Sequence, residues 1–249
     1  MGRERIKLDL LIHDLKVPLA VIDAGITSLL GRVEKYGPLT EKQKKVLVRV
    51  LRNTKVTKRL VNDTLELGRS REGIINLTNF KPSELVEKVL VEIFDLNDTD
   101  MAEKLRICTE LTQLQEILEE KGFSLLIDKK IWCEDIYLDK SKMKQILRNL
   151  LTNALKYRKN RVELNIENRD GYLSISVKDD GDGIPLTYHD KIFKSYFQMD
   201  CTDSCPVRGH GLGLAGVMVL VEDMEGRLIL ESDENKGAKF VVMVPLGNK

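Results

Sequence analysis

A change of texture near residue 70 constrains this chain most. Residues 5–69 carry no strand-like alternation. Leu8, Ile12, Leu15, Leu19, Ile22, Ile26, Leu30 and Val33 step by three or four, the spacing of one helical face. Gly37-Pro38 interrupts that pattern, Thr40 can cap a second helix, and Glu41 falls in its first turn. Leu47, Val50, Leu51, Thr54, Val61 and Leu65 continue at helical spacing. Residues 1–70 therefore predict a helical hairpin. Two helices give each apolar stripe too little partner surface, so pairing of two copies into a four-helix bundle is expected. Packing against the rest of the same chain is the competing arrangement.

A polar, basic linker is expected over Gly68–Gly73, and strands and helices mix after it. Ile74–Phe80 reads as a strand and Pro82–Phe94 as a helix with Ser83 near its start. Residues 95–121 are helical between acidic ends and carry no functional signal. Phe123–Ile127 is a short apolar run, and Ser141–Tyr157 a helix. Val162, Leu164 and Ile166 alternate, as do Leu173, Ile175 and Val177. Leu212–Met224 reads as a helix ended by Gly226, followed by a hairpin across Asn235-Lys236-Gly237. The predicted class is α+β: a hairpin forming a dimeric four-helix bundle, then an α/β sandwich over residues 74–249.

Bulk properties exclude several functions. The net charge of +1 gives no broad attraction to nucleic acid or to an anionic membrane. The longest uncharged stretch, Gly209–Val221, is too short to span a bilayer and is broken by glycines. Met1-Gly2-Arg3-Glu4 opens without the apolar core of a signal peptide, and Ile6 stands where a myristoylation site needs Ser or Thr. Cys108, Cys133, Cys201 and Cys205 lack the paired spacing of a zinc site and read as reduced thiols.

Three segments carry chemistry. Asp179-Asp180-Gly181-Asp182-Gly183-Ile184-Pro185 follows a predicted strand. An acid there can accept a hydrogen bond from an exocyclic amine, and the glycines permit a sharp turn near a flat ring. Alone, the segment is equally a loop or a weak calcium-like acidic run. Gly209-His210-Gly211-Leu212-Gly213-Leu214 opens a helix, where free N–H groups attract phosphate. It lacks the context of a dinucleotide fold and the Gly-Lys-Ser/Thr of a P-loop. Asn149, Asn153 and Lys156 share one helix face, opposite Leu147, Leu150, Leu151 and Ala154. By themselves they are ordinary exposed residues; beside a nucleotide they supply hard oxygens and a cation.

Their order is more specific than any one of them. The stretch Leu147-Arg148-Asn149-Leu150-Leu151-Thr152-Asn153-Ala154-Leu155-Lys156-Tyr157 resembles the N box of histidine kinases in the GHKL ATPase superfamily. The Asp179–Gly183 and Gly209–Gly213 segments resemble its G1 and G2 boxes, and Ile192-Phe193-Lys194-Ser195-Tyr196-Phe197 its F box. The resemblance covers roughly residues 74–249 and implies an ATP-binding domain. It implies that Asn153 ligates Mg2+, Asn149 assists at the phosphates and Lys156 touches phosphate. Tyr157 would pack near base or ribose, and Asp179 would bind the adenine amine. Gly181, Gly183, Gly209, Gly211, Gly213 and Leu214 complete the implied ATP site. Residues 186–208 would be a mobile lid, with Arg208 able to reach the γ-phosphate.

His13-Asp14-Leu15-Lys16-Val17-Pro18-Leu19 lies on the first predicted helix. A lone helical histidine is ordinarily a surface residue. Pro18, however, removes a hydrogen bond to the Asp14 carbonyl and should kink the helix just past His13. Burial of Ile12 and Leu15 would leave His13 pointing outward. The stretch resembles the H box of sensor histidine kinases, and with the other boxes the likeness covers nearly the whole chain. It implies that His13 is phosphorylated by ATP, with Asp14 fixing its tautomer and taking up the proton. It implies transfer onward to an aspartate of a response-regulator receiver domain, and a homodimer formed by the N-terminal helices. It also implies a cytoplasmic location, alone or as the cytosolic part of a larger sensor protein. Val17 stands where the family often has Thr or Asn to position water, which predicts weak or absent phosphatase activity by that route. Other GHKL machines, coupled to clamp closure, lack this H box; a non-catalytic scaffold would not need the intact boxes.

Overall fold

The computed structural model describes residues 2–70, 75–108, 110–194 and 213–247; within these, the side chains of residues 2–13, 59–60, 62–70 and 96–97 are outside the description. Two compact units are present, Met1–Glu72 and Gly73–Lys249.

In the first unit, helix α1 (Gly2–Gly31) runs continuously through Pro18. A short turn of helix, α2 (Val33–Tyr36), precedes α3 (Glu41–Ser70). Gly37 takes a φ of +81°, a left-handed conformation that lets the chain reverse. Thr40 Oγ1 accepts the Gln43 N–H at 3.3 Å, while Gln43 Oε1 accepts the Thr40 N–H at 2.8 Å. This reciprocal capping box satisfies two otherwise orphan donors at the start of α3.

Helices α1 and α3 pack against each other, burying Ile26 and Thr54. The Thr54 hydroxyl donates to the Val50 carbonyl at 3.0 Å, so its burial leaves no unpaired donor. Two expectations need correction. The first helix ends at Gly31, and the pattern expected to run as far as Gly37-Pro38 carries on as the separate short helix α2. Helix α3 continues through Gly68, Arg69 and Ser70, which were expected as linker; residues 71–74 are outside the description. Leu15, Ile22, Val33, Val46 and Val50 are exposed in the single hairpin. A helix with one neighbour can cover about half of an apolar stripe, and the remainder faces water.

The second unit starts with β1 (Thr78–Phe80), shorter than expected, since residues 75–77 form no strand. It pairs antiparallel with β3 (Ile136–Leu138), three residues that carry too little alternation to be read from sequence. Helix α4 (Pro82–Asn97) opens on Pro82, where a missing N–H costs nothing. Helices α5 (Thr99–Ile107) and α6 (Leu111–Glu119) follow, with Asp98 capping α5 through the Met101 N–H. Then come β2 (Phe123–Ile127), α7 (Lys129–Cys133) and α8 (Lys140–Tyr157). The chain finishes with β4 (Val162–Arg169), β5 (Tyr172–Asp179), α9 (Gly213–Asp223), β6 (Arg227–Ser232) and β7 (Ala238–Pro245).

The main sheet has the order β2-β4-β5-β7-β6, with β2 parallel to β4 and the other pairs antiparallel. Strands β4 and β7 alternate buried and half-buried residues, as a sheet with helices on one face requires. Helix α8 lies on β5 and packs against α4 and α9. Its Met143, Ile146, Leu147, Leu150, Leu151 and Ala154 are buried in the core. Lys142, near its start, reaches Asp223 at the end of α9 at 2.7 Å; the two side chains are 7% and 14% exposed. A charge so deeply placed is tolerated because it is paired. Among the described residues, no helix is long and apolar enough to cross a membrane.

Candidate nucleotide site

The expected site residues that are described lie at the end of β5, along α8 and at the start of α9. Asp139 caps α8 by accepting the Lys142 N–H at 3.0 Å, and the same carboxylate accepts the Asn76 N–H at 2.8 Å. The apolar face of the helix then fixes its rotation, leaving Asn149 and Asn153 half-buried one turn apart. Asn149 Nδ2 donates to the Gly213 carbonyl at 3.3 Å, tying α8 to the first turn of α9. Leu214, next along, is partly buried against the core. Lys156 Nζ donates to the Tyr157 hydroxyl at 2.9 Å and stands 4.6 Å from the centre of that ring. The two side chains expected near phosphate and base thus pack on each other.

Asp179 closes β5 and is 7% exposed. Burial raises its carboxyl above the ordinary carboxylate range, although Oδ1 accepts the N–H groups of Gly181 at 2.9 Å and Ala238 at 3.4 Å. Asp180, its neighbour, has the opposite fate. The N–H of Arg161, helped by those of Asn160 and Lys159, holds its carboxyl below the ordinary range. Adjacent acids in sequence are therefore a buried carboxyl and a fully hydrogen-bonded anion.

The glycines of this segment approach protein backbone closely. A side chain on Gly181 would strike the Tyr157 carbonyl, and one on Gly183, with φ of +73°, would strike the Asp233 carbonyl. Gly237, with φ of +76°, faces the Asp179 carbonyl in the same way. They allow the loop after β5 to pack backbone on backbone between α8 and the β6–β7 hairpin.

Further residues support this loop. Ser232 Oγ accepts the Ile184 N–H at 2.9 Å and donates to the Gly237 carbonyl at 2.7 Å. His189 Nε2 lies 2.9 Å from the Ile184 carbonyl. Lys159 pairs with Asp182 at 2.7 Å. Ser232, His189 and Lys159 belong to no motif, whereas Asp182 and Ile184 lie in the Asp179–Pro185 segment.

The start of the expected lid is anchored. Leu186–Tyr188 forms a 3-10 turn, Ile192 is buried, and Phe193 meets Phe240 edge-on with 6.5 Å between ring centres. Gly209, Gly211, Arg208, Cys201, Cys205 and Ser195–Phe197 of the F box lie outside the described residues. The backbone of His13 lies within α1, its side chain outside the description; Asp14 and Val17 are exposed. Cys108 and Cys133 are free thiols.

Comparison with known proteins matches this layout. Residues 138–248 match the family described as histidine kinase-, DNA gyrase B-, and HSP90-like ATPase, and residues 10–73 match the His Kinase A (phospho-acceptor) domain. The chain is 30% identical over 237 residues to the sensor protein kinase WalK of Staphylococcus haemolyticus, and 29% identical over 237 residues to that of Staphylococcus saprophyticus. Each alignment covers 94% of this chain and 35% of the relative, so the chain spans about a third of those proteins. Its fold resembles full-length ShkA, crystallised with AMPPNP, with a TM-score of 0.65 at 23% identity, covering 98% of this chain and 46% of ShkA. With a phospho-acceptor domain at residues 10–73 followed by a histidine-kinase-type ATPase domain at residues 138–248, the chain carries a histidine kinase catalytic core.

Proposed function

We propose that this chain is an ATP-dependent protein-histidine kinase that phosphorylates His13 and passes the phosphoryl group to an aspartate of a response-regulator receiver domain. The observation that carries this reading is the pairing of a phospho-acceptor domain containing His13 with an ATPase domain whose buried Asp179 ends β5 beside α8.

In this reading the ionised Asp179 accepts a hydrogen bond from the adenine amine. Tyr157, exposed at the end of α8, offers its ring to base or ribose, and Lys156 offers positive charge to phosphate. Asn149 and Asn153 face the nucleotide, and the glycines around Gly213 receive phosphate at the start of α9. Gly209 and Gly211 complete that cradle.

The donor set fits Mg2+. Carboxamide oxygens are hard ligands, and Asn149 already spends its amide nitrogen on Gly213, leaving its oxygen as the group that turns to a cation. Among the described residues, no group of three or more His, Cys, Asp or Glu could hold a metal. Asn153, assisted by Asn149, would therefore hold the ion together with phosphate oxygens and water, as Mg2+ commonly is held. The ion would supply neutralisation of phosphate charge.

A neutral ring nitrogen of His13 attacks the γ-phosphorus, the bond to the β–γ bridging oxygen breaks, and ADP leaves. Asp14 takes the proton lost from the other ring nitrogen. The hairpin acts as a homodimer, which is supported by the apolar side chains exposed along α1 and α3. Val17 offers no group to hold a water, so regulator phosphatase activity by that route is absent or weak.

Incubation with γ-labelled ATP and Mg2+ tests the reading. The label should remain on protein in base and be lost in acid, as a phosphoramidate is. A label stable in acid identifies a different acceptor and refutes it.

A further inference from the structure

Between α8 and β4 the chain turns through Arg158–Arg161, four residues that join the Asn149/Asn153 helix to the sheet. The ladder pairs Val162 with Asp179, which brings Asp180 opposite this turn. The Asp180 carboxylate accepts three successive backbone N–H groups, from Lys159 at 2.9 Å, Asn160 at 3.0 Å and Arg161 at 2.9 Å. Its second oxygen also accepts the Asn160 N–H at 3.0 Å. In return, its own N–H donates to the Arg161 carbonyl at 3.3 Å. Convergent N–H groups of this kind form an anion-binding concavity, filled here by a side chain of the protein itself.

We propose that Asp180 is a positioning residue for the nucleotide site, pinning the turn after α8 so that Lys156 and Tyr157 keep a fixed place beside Asp179. The inference rests on the reading that this site binds ATP. The lever is short, because Lys159 is two residues beyond Tyr157. The last turn of α8 is closed by the Arg158 N–H on the Ala154 carbonyl, so a turn held at residues 159–161 also holds the helix end. Gly181 adds a backbone contact on the Tyr157 carbonyl, and Asp182 an ion pair to Lys159. Both oxygens of Asp180 are engaged by protein donors, so the residue acts through the turn and not on the ligand. The turn faces water, and its N–H groups can be solvated when the carboxylate is removed. Loss of Asp180 should therefore loosen the site without unfolding the unit.

The test uses the whole chain as wild type, Asp180→Ala and Asp180→Asn. KM for ATP and kcat of autophosphorylation are measured with Mg2+, and fluorescence of the buried Trp132 reports folding. Asp180→Ala should raise KM about tenfold with kcat within about twofold, the size expected when charge-assisted hydrogen bonds are lost from a support. Asp180→Asn keeps one acceptor oxygen and should raise KM about threefold. An unchanged KM in folded Asp180→Ala, or a fall in kcat at constant KM, overturns the inference. Should the alanine variant fail to fold, an unchanged KM in Asp180→Asn overturns it equally. If wild type binds no ATP, the reading of the site itself falls, and the inference with it.

Discussion

The hairpin and the ATPase unit solve burial in opposite ways. In the ATPase unit, α8 and the sheet enclose one continuous core, from Phe80 through Leu150 to Val244. Its buried acids are satisfied internally: Asp139 accepts two backbone N–H groups, and so does Asp179. The hairpin is left open. Among its described residues Ile26 is the buried hydrophobic side chain, while Val46 is 49% exposed. Asp23 holds a buried carboxylate oxygen with no hydrogen-bond partner among the described residues. One unit can stand as a single copy, and the other presents a surface that asks for a second.

The largest expected effect tests the closed unit. Asp179→Asn should weaken ATP binding at least about 100-fold, because in the proposed reading a buried acceptor for the adenine amine is replaced by a neutral amide. The same change should leave stability equal or higher. The folded-state value of Asp179 is raised by burial, so its ionisation opposes folding above that value. That cost fades as pH falls toward the unfolded carboxylate value of about 4. The advantage of the variant in thermal unfolding should therefore be greatest at neutral pH and shrink on acidification. Melting curves from pH 4 to 8 check both statements. A destabilised Asp179→Asn would mean that the buried charge is held for packing and not for ligand.

A smaller effect tests the open unit. Ile22→Lys with Val46→Lys places two ammonium groups on the exposed apolar surface of the hairpin. Dimer association, followed by sedimentation, should weaken by about 30-fold, while the ATP affinity of the other unit stays at the wild-type value. Loss of both properties together would break the distinction between the units. The smallest effect concerns Val17, exposed on α1. Val17→Thr supplies a hydroxyl that can hold a water, and regulator dephosphorylation should rise measurably from near background. No gain removes the support for the phosphatase reading.

Long periodic elements were legible in the sequence. Helix α8, the β4–β5 pair and the β6–β7 hairpin follow patterns that burial imposes over many residues. The Thr40 cap was readable because capping depends on a few adjacent side chains. What escaped was set by distant partners. Strand β3 is too short to show a period and exists because it pairs with β1. The end of α3 lies beyond a glycine that, by propensity, would close it. In the candidate site, order along the chain points to the acid and amide positions, whereas Ser232, Asp180 and the close backbone approach at Gly181 and Gly183 required the fold. Their partners are backbone carbonyls and N–H groups remote in sequence, which no spacing encodes.

The most direct test compares wild type with His13→Gln, each incubated with γ-labelled ATP and Mg2+ and each checked for ATP binding. The account predicts base-stable, acid-labile label on wild type and none on His13→Gln, with equal ATP affinity in both. Labelling that persists on His13→Gln would contradict it, because the phosphoryl group would then have an acceptor outside the exposed hairpin helix that carries His13.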